Sequence, residues 1–456
     1  MAGIGFELRK LLRTQTYSGL LRAYAYAGII SSGPWVLSII GIQVVGVLSL
    51  SVVVPDMLVT RFQVTVTYLI ACSLIATGAL QIGFTRYLAD QLFLGNERRV
   101  VPNLNGALLV TMLGSGALAL AAALLAFPEA SNLYRALLVC GFVVLSCVWI
   151  VTIMLSGLKQ YKAIVVIYAL GYGVAVGGAL ALRPLGTEGL LLGFVAGQFV
   201  LLAAMLALVY RSYPADGFVA FDFVRRGAMY PSLLLIGLLY NVGIWADKLL
   251  FWYFPSTSEA IIGPLRASPI YDTPIFLAYL AIIPGMAVFL VRMETDFAEY
   301  YQRFYDAVRS GGSLGQIERM RDELVFTVRQ GLFEIIKVQT LAVLVVFETA
   351  AVVLRWLGIS DVYLPLLFVD VVAVGLQVLL LGVLNVLFYL DKRAVALQVT
   401  AIFAGCNLLF TAASLALGAS WYGYGFALAL LAAAAWGAWR LNGKLNALEY
   451  ETFMLQ

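Results

Sequence analysis

The sequence predicts an all-α integral membrane protein: twelve transmembrane helices in two parallel six-helix repeats, with both termini cytoplasmic. Three observations predict it. Apolar runs of about 20 residues or more, each able to cross a ~30 Å hydrocarbon core, recur throughout the chain. The composition is 62% hydrophobic and 12% charged, with a mean hydropathy of +0.94. That is more apolar surface than a soluble protein of this size can hide. Finally, Lys and Arg gather on one side of the alternating runs, as cytoplasmic loops require.

The runs fall at 27–54, 62–89, 104–127, 133–157, 163–182, 188–210, 231–254, 270–291, 331–356, 363–389, 394–417 and 419–439. Only 128–132 separates the third span from the fourth, so those two form a tight hairpin. The eleventh and twelfth meet at Gly418. A β-barrel is excluded, because barrel strands are ~10 residues of alternating polarity. With the N-terminus cytoplasmic, twenty-two of the 29 Lys and Arg lie on the cytoplasmic side and six on the other, with Lys337 inside a span. The net charge of +4 therefore reflects topology and not nucleic-acid binding. Ahead of the first span, 6–24 reads as a basic amphipathic helix or as an ordinary positively charged flank.

Six spans, a polar connection at 211–230 and six more divide the chain into a bundle at 1–210 and a bundle at 231–456. Arg86-Tyr-Leu-Ala-Asp90 ends the second span, and Arg292-Met-Glu-Thr-Asp296 ends the eighth. Each Arg and Asp are one helical turn apart and can pair. Matching basic turns follow the fourth and tenth spans. An even number of spans per half makes the repeats parallel. The second half adds a connection at 292–330. There Phe297, Tyr300, Tyr301 and Phe304 recur at helical spacing, Gly311-Gly312 breaks the helix, and Ile317, Met320, Leu324 and Val325 form a second stripe. The aromatic stripe buries against the membrane interface or the bundle's base, or it docks a cytoplasmic partner.

The chain has no histidine, which removes Ser-His-Asp and Cys-His catalysis and histidine metal sites. Cys72, Cys140, Cys147 and Cys406 all fall in apolar spans, so free thiols are expected. No nucleotide-binding motif is present. No catalytic residue, metal site or cofactor is expected, and the chain does not read as an enzyme.

Ionisable groups inside spans are costly and mark pathways or partners. The candidates are Asp247 and Lys248 in the seventh span, Asp272 in the eighth, Lys337 and Glu348 in the ninth, and Asp370 in the tenth. They either line a hydrated path or pair structurally. Trp35, Tyr240 and Trp245 sit near helix-breaking residues, where aromatic rings stack on sugar faces or form interfacial belts.

The opening Met1-Ala-Gly-Ile-Gly-Phe-Glu-Leu-Arg-Lys-Leu-Leu12, the Ser31-Ser-Gly-Pro-Trp35 element and the six-plus-six plan resemble the PelG family along the whole chain. That family is the inner-membrane component of the bacterial Pel exopolysaccharide system. More broadly, the chain is similar to the multidrug/oligosaccharidyl-lipid/polysaccharide exporter superfamily. The resemblance implies transport of a growing, N-acetylgalactosamine-rich polymer across the inner membrane, through a lumen between the bundles. It implies a cytoplasmic glycosyltransferase and inner-membrane partners, including a cyclic-di-GMP receptor. On that reading 292–330 contacts the synthase. The competing expectations are an ion-coupled flippase or antiporter of lipid-linked oligosaccharide or small amphiphiles, and a scaffold that conducts nothing.

Overall fold

In a computed structural model of the chain, the described residues are 24–28, 37, 40–41, 44–45, 57–155 and 161–454. They are almost entirely helical. The expected helix at 6–24, nearly all of the first span and Trp35 lie outside them. Six long helices come first: α1 (Met57–Phe93), α2 (Val100–Ala126), α3 (Asn132–Leu155), α4 (Tyr161–Leu182), α5 (Gly186–Ser212) and α6 (Pro231–Tyr253). Two short strands follow, β1 (Glu259–Ile262) and β2 (Leu265–Ala267). Then α7 runs from Pro269 to Arg309 through a 3-10 turn at Tyr279–Ala281 and a π turn at Arg292–Phe297. After it come α8 (Leu314–Trp356), α9 (Leu364–Tyr389), α10 (Arg393–Leu417), α11 (Tyr424–Asn446) and the short α12 (Leu448–Met454).

Ten described stretches are long and apolar enough to cross a membrane, and one of them, Lys162–Ser212, holds both α4 and α5. The expected second to twelfth spans are therefore all present as helices. The turns behave as their residues predict. The link between α2 and α3 is closed by Arg135, whose Nε donates to the Phe127 carbonyl at 2.8 Å. Gly418 turns at φ +99°, where a side chain would be strained. Among the described residues, the one departure from all-α structure is the β1–β2 hairpin. The Tyr68 hydroxyl donates to the Arg266 carbonyl at 2.9 Å, tying that hairpin to α1.

The chain forms two compact units, residues 33–269 and residues 1–32 with 270–456. The division does not fall at the polar connection 211–230. The seventh span, α6, packs along α1. The cause is a notch: a Cβ on Gly237 would sit 2.1 Å from the Gly78 carbonyl oxygen, so the two backbones touch. Such small-residue seams are how apolar helices associate where lipid removes any net hydrophobic drive. The Tyr68 ring stacks on Trp252 at 4.4 Å beside the same seam. A second seam joins α4 to α5, where a Cβ on Gly197 would meet Ala175 at 2.4 Å.

In the other unit, α7 packs on α8 and α9, and α10 packs on α11. The insertion 292–330 is a helical hairpin. It is made of the last turns of α7 and the first turns of α8, broken at Gly311 (φ +71°) as expected. Phe297 and Phe304 are fully enclosed. Phe297 meets Tyr389 of α9 edge-on at 5.1 Å, and Tyr301 meets it at 5.5 Å. Ile317 and Leu324 are buried as well. The aromatic stripe is thus covered within its own unit. Phe297 and Phe304 present nothing to a partner, while Tyr300 and Tyr301 are half-buried.

The far end of this unit is held by Glu451 of α12, which forms ion pairs with both Lys392 and Lys444. Burial pushes the Glu451 carboxyl up, but the two lysines outweigh it and hold the group below the usual carboxylate range. A depressed native value means the clamp contributes fully above the ordinary value of 4.5 and fades as pH falls through the lower native value. Protection of the α12 amides against hydrogen exchange, taken relative to the intrinsic rate at each pH, should therefore hold at neutral pH and fall once the pH drops below the ordinary carboxylate range. Glu451→Gln should exchange fast already at neutral pH. For the α1–α6 seam, Gly237→Ala should cost about 1–3 kcal/mol, read as a lowered Tm. Gly173→Ala, where an added methyl meets nothing within 4 Å, should leave Tm unchanged or raise it slightly.

Candidate functional site

The charged residues expected at depth separate into three kinds of surroundings. Asp247 and Lys248 are neighbours on α6, and both side chains are 0% exposed. The Lys248 ammonium lies 3.0 Å from Asp247 Oδ2, donates to the Ile244 carbonyl at 3.0 Å, and lies 5.8 Å from the Trp245 ring centre. Adjacent helical residues point about 100° apart. The flexible lysine stem closes that gap by folding back, so neither charge faces open space. Trp245 is buried and tilts against Trp252 at 6.2 Å, and Tyr240 is half-buried.

Asp370, in the second turn of α9, is also 0% exposed. Its carboxylate packs against the backbone at Gly423, where an added Cβ would stand 3.1 Å from Oδ1. Asp272 is half-buried near the start of α7. Lys337 and Glu348 differ from all of these. Both lie on the exposed side of α8, with the Lys337 ammonium 4.3 Å over the Phe333 ring. Of the nine substrate-path candidates, Trp35 lies outside the described residues and the other eight divide between the two units. Asp247, Lys248, Tyr240 and Trp245 belong to one unit; Asp272, Lys337, Glu348 and Asp370 belong to the other.

What the structure does bring together is a polar cluster on the π turn of α7, which the sequence reading did not single out. The extra residue of a π turn re-aims side chains, and such turns recur at functional sites. Here Glu294 points to α9, where its carboxylate accepts from Asn385 Nδ2 at 3.3 Å and from the Tyr389 hydroxyl at 3.1 Å. Arg292, on the same turn, forms ion pairs with Asp296 and with Glu334 of α8. The R-x-x-x-D pair anticipated at this position is therefore real, and its partner Arg86–Asp90 on α1 forms as well at 2.9 Å. Three helices are tied here by polar contacts. The available signal was the acidic residue inside the motif, Arg292-Met-Glu294-Thr-Asp296, against Asn385 and Tyr389 one turn apart on α9.

One turn of bend earlier, Gln339 of α8 fits a slot made by two glycines. A Cβ on Gly285 of α7 would lie 2.2 Å from Gln339 Oε1, and one on Gly375 of α9 would lie 2.9 Å from Gln339 Cγ. The amide nitrogen donates to the Ala281 carbonyl at 2.9 Å. Pro284 cannot complete the helical hydrogen bonds of this turn, so a side-chain donor from α8 serves the bend. Among the described residues no group of three or more His, Cys, Asp or Glu could hold a metal ion. The site is an arrangement of helices and polar joints.

Breaking the Asp247–Lys248 pair tests whether it is structural. Lys248→Met leaves a buried carboxylate uncompensated and should cost about 3–5 kcal/mol, seen as lost folded yield and lowered Tm. Replacing both residues with Leu and Met should restore most of that loss, since an apolar pair needs no solvation.

Comparison with known proteins agrees with this reading of the fold. No curated protein matches the chain by sequence. Solved structures do match in fold. A multidrug resistance MATE family transporter of the MOP superfamily, seen in an outward-facing conformation, is 14% identical over 93% of this chain and 96% of its own, with a TM-score of 0.63. The Vibrio cholerae MATE transporter VcmN, in a mutant form, is 14% identical over all of both chains, with a TM-score of 0.62. A MOP superfamily transporter from Pyrococcus furiosus is 13% identical over 93% of this chain and 96% of its own, with a TM-score of 0.62. These likenesses give the fold alone. A family model described as "PelG: Putative exopolysaccharide Exporter (EPS-E)" matches residues 1–453, so the chain belongs to the PelG family of inner-membrane exopolysaccharide exporters.

Proposed function

We propose that this protein carries a growing, N-acetylgalactosamine-rich exopolysaccharide of the Pel type across the bacterial inner membrane, receiving it from a cytoplasmic glycosyltransferase. The family match along residues 1–453 carries the reading. The lysine and arginine distribution supports cytoplasmic termini, which puts the 292–330 hairpin on the side where a synthase works. With the aromatic stripe covered, the surface offered to that enzyme is the outer side of the first turns of α8, where Leu314 and Phe326 are exposed. A cyclic-di-GMP receptor in the membrane completes the proposed set of partners. The exposed Lys337 and Glu348 are the better candidates for polymer contact, because Asp247, Lys248 and Asp370 are enclosed.

The deciding experiment removes this chain from cells that keep the synthase. Polymer recognised by an N-acetylgalactosamine-binding lectin should then accumulate inside or vanish from the medium. Unchanged polymer outside the cell would overturn the proposal. For the partner, Leu314→Glu with Phe326→Glu should lower co-purification of the glycosyltransferase while membrane insertion stays intact; equal recovery would remove the docking assignment. Glu348→Gln should weaken polymer export without making it depend on an ion gradient. Full loss of an ion-driven flux of small amphiphiles in that variant would instead favour an antiporter.

A further inference from the structure

The polar connection after α5 is not a slack loop. Ala220 N donates to the Pro102 carbonyl, Asn105 Nδ2 to the Phe218 carbonyl, and Asp222 N to Asn103 Oδ1, each at 2.8 Å. The Tyr210 hydroxyl donates to Asn105 Oδ1 at 2.7 Å. Gly106 lets the strap lie flush, since a Cβ there would stand 2.0 Å from the Ala220 carbonyl oxygen. In the strap so fixed along the first two turns of α2, Phe223 turns inward against Phe84 and Tyr87, and its apolar neighbours point outward. Phe218 is 81% exposed, Val224 63% and Phe221 45%. The end of α1 adds Phe93 and Leu94 at 77% and 66%.

Depth says what covers these groups. The 27 residues of α2 span about 40 Å, about 10 Å more than the hydrocarbon layer. Its far end carries Leu125, 83% exposed, as a lipid-facing residue should be. The surplus therefore falls in the first two turns, where Pro102 and Asn105 hold the strap. A strap at that depth would meet the interfacial layer of one membrane face. Its acids are already engaged: Asp216 pairs with Arg98, and Asp222 with Arg99 and Arg225. Arg211 and Arg226, exposed at its two ends, form no ion pair among the described residues.

We propose that this strap is an interfacial anchor, seating Phe218, Phe221 and Val224 in the bilayer and holding anionic phospholipid headgroups with Arg211 and Arg226. Apolar tips flanked by guanidinium groups at headgroup level complement an acidic lipid surface.

The test uses the full chain in nanodiscs of phosphatidylcholine, alone or mixed with phosphatidylglycerol. A nitroxide is placed at Phe218→Cys with the four native cysteines changed to alanine. Oxygen should reach the label and an aqueous nickel chelate should not. Native mass spectrometry should show phosphatidylglycerol retained over phosphatidylcholine. Arg211→Gln and Arg226→Gln should each lower that retention about fivefold, while the label stays protected. Three results would overturn the proposal. The nickel chelate could reach Phe218→Cys as readily as Gly311→Cys, an open turn. The wild type could retain both lipids equally. Protection could arise only on adding cytoplasmic protein, which would make the strap a protein-docking surface.

Discussion

Close approach of backbones at glycine notches is the constraint on which the rest of this structure depends. In a bilayer, apolar side chains gain nothing by leaving lipid for one another, so helices associate through van der Waals fit and polar joints. At Gly237 against Gly78, Gly197 against Ala175, and Gly425 against Thr411, an added Cβ would overlap the neighbouring helix. These notches decide which helices are partners. They set α6 beside α1 and α11 beside α10, and those pairings define the two units. The tyrosine–tryptophan stack at Tyr68 and the α1–hairpin hydrogen bond form only because the helices are already that close.

The polar chemistry follows the same economy. Three of the six intramembrane charges named in advance, Asp247, Lys248 and Asp370, are enclosed. Lys248 folds back on Asp247, Asp370 lies against Gly423, and Gln339 serves the bend at Pro284. Groups that would be costly in hydrocarbon become joints that specify packing. Lys337 and Glu348 stand out because they lack such enclosure on α8.

How much of this was legible in the sequence follows from the range of each interaction. The spans were legible because each is a local property of about 20 residues. So were the Gly418 and Gly311 turns and the Arg86–Asp90 and Arg292–Asp296 pairs, which act within one helical turn. The unit boundary was not legible. The chain has 42 glycines, and nothing local marks Gly78 and Gly237 as the two that meet. The destination of the Phe297–Phe304 stripe was equally hidden: helical spacing shows that a face must be buried, but Tyr389, which covers it, lies some ninety residues away. Glu294 was missed because it sits inside a motif whose outer residues gave the visible signal, and only the π turn aims it at α9.

The length of α8 has a mechanical consequence. Its 43 residues form one unbroken helix of about 64 Å, roughly twice the hydrocarbon thickness. The segment from Leu314 to Arg329 carries six charged residues, so that end, rather more than a third of the helix, projects out of the bilayer. Such a helix is a lever arm with its fulcrum at the membrane surface. A tilt of about 10° inside the bilayer swings the projecting end by about 4 Å. Events at Gln339 and at the outermost turn of this hairpin are thereby geared together, with no need for a relay of contacts between them.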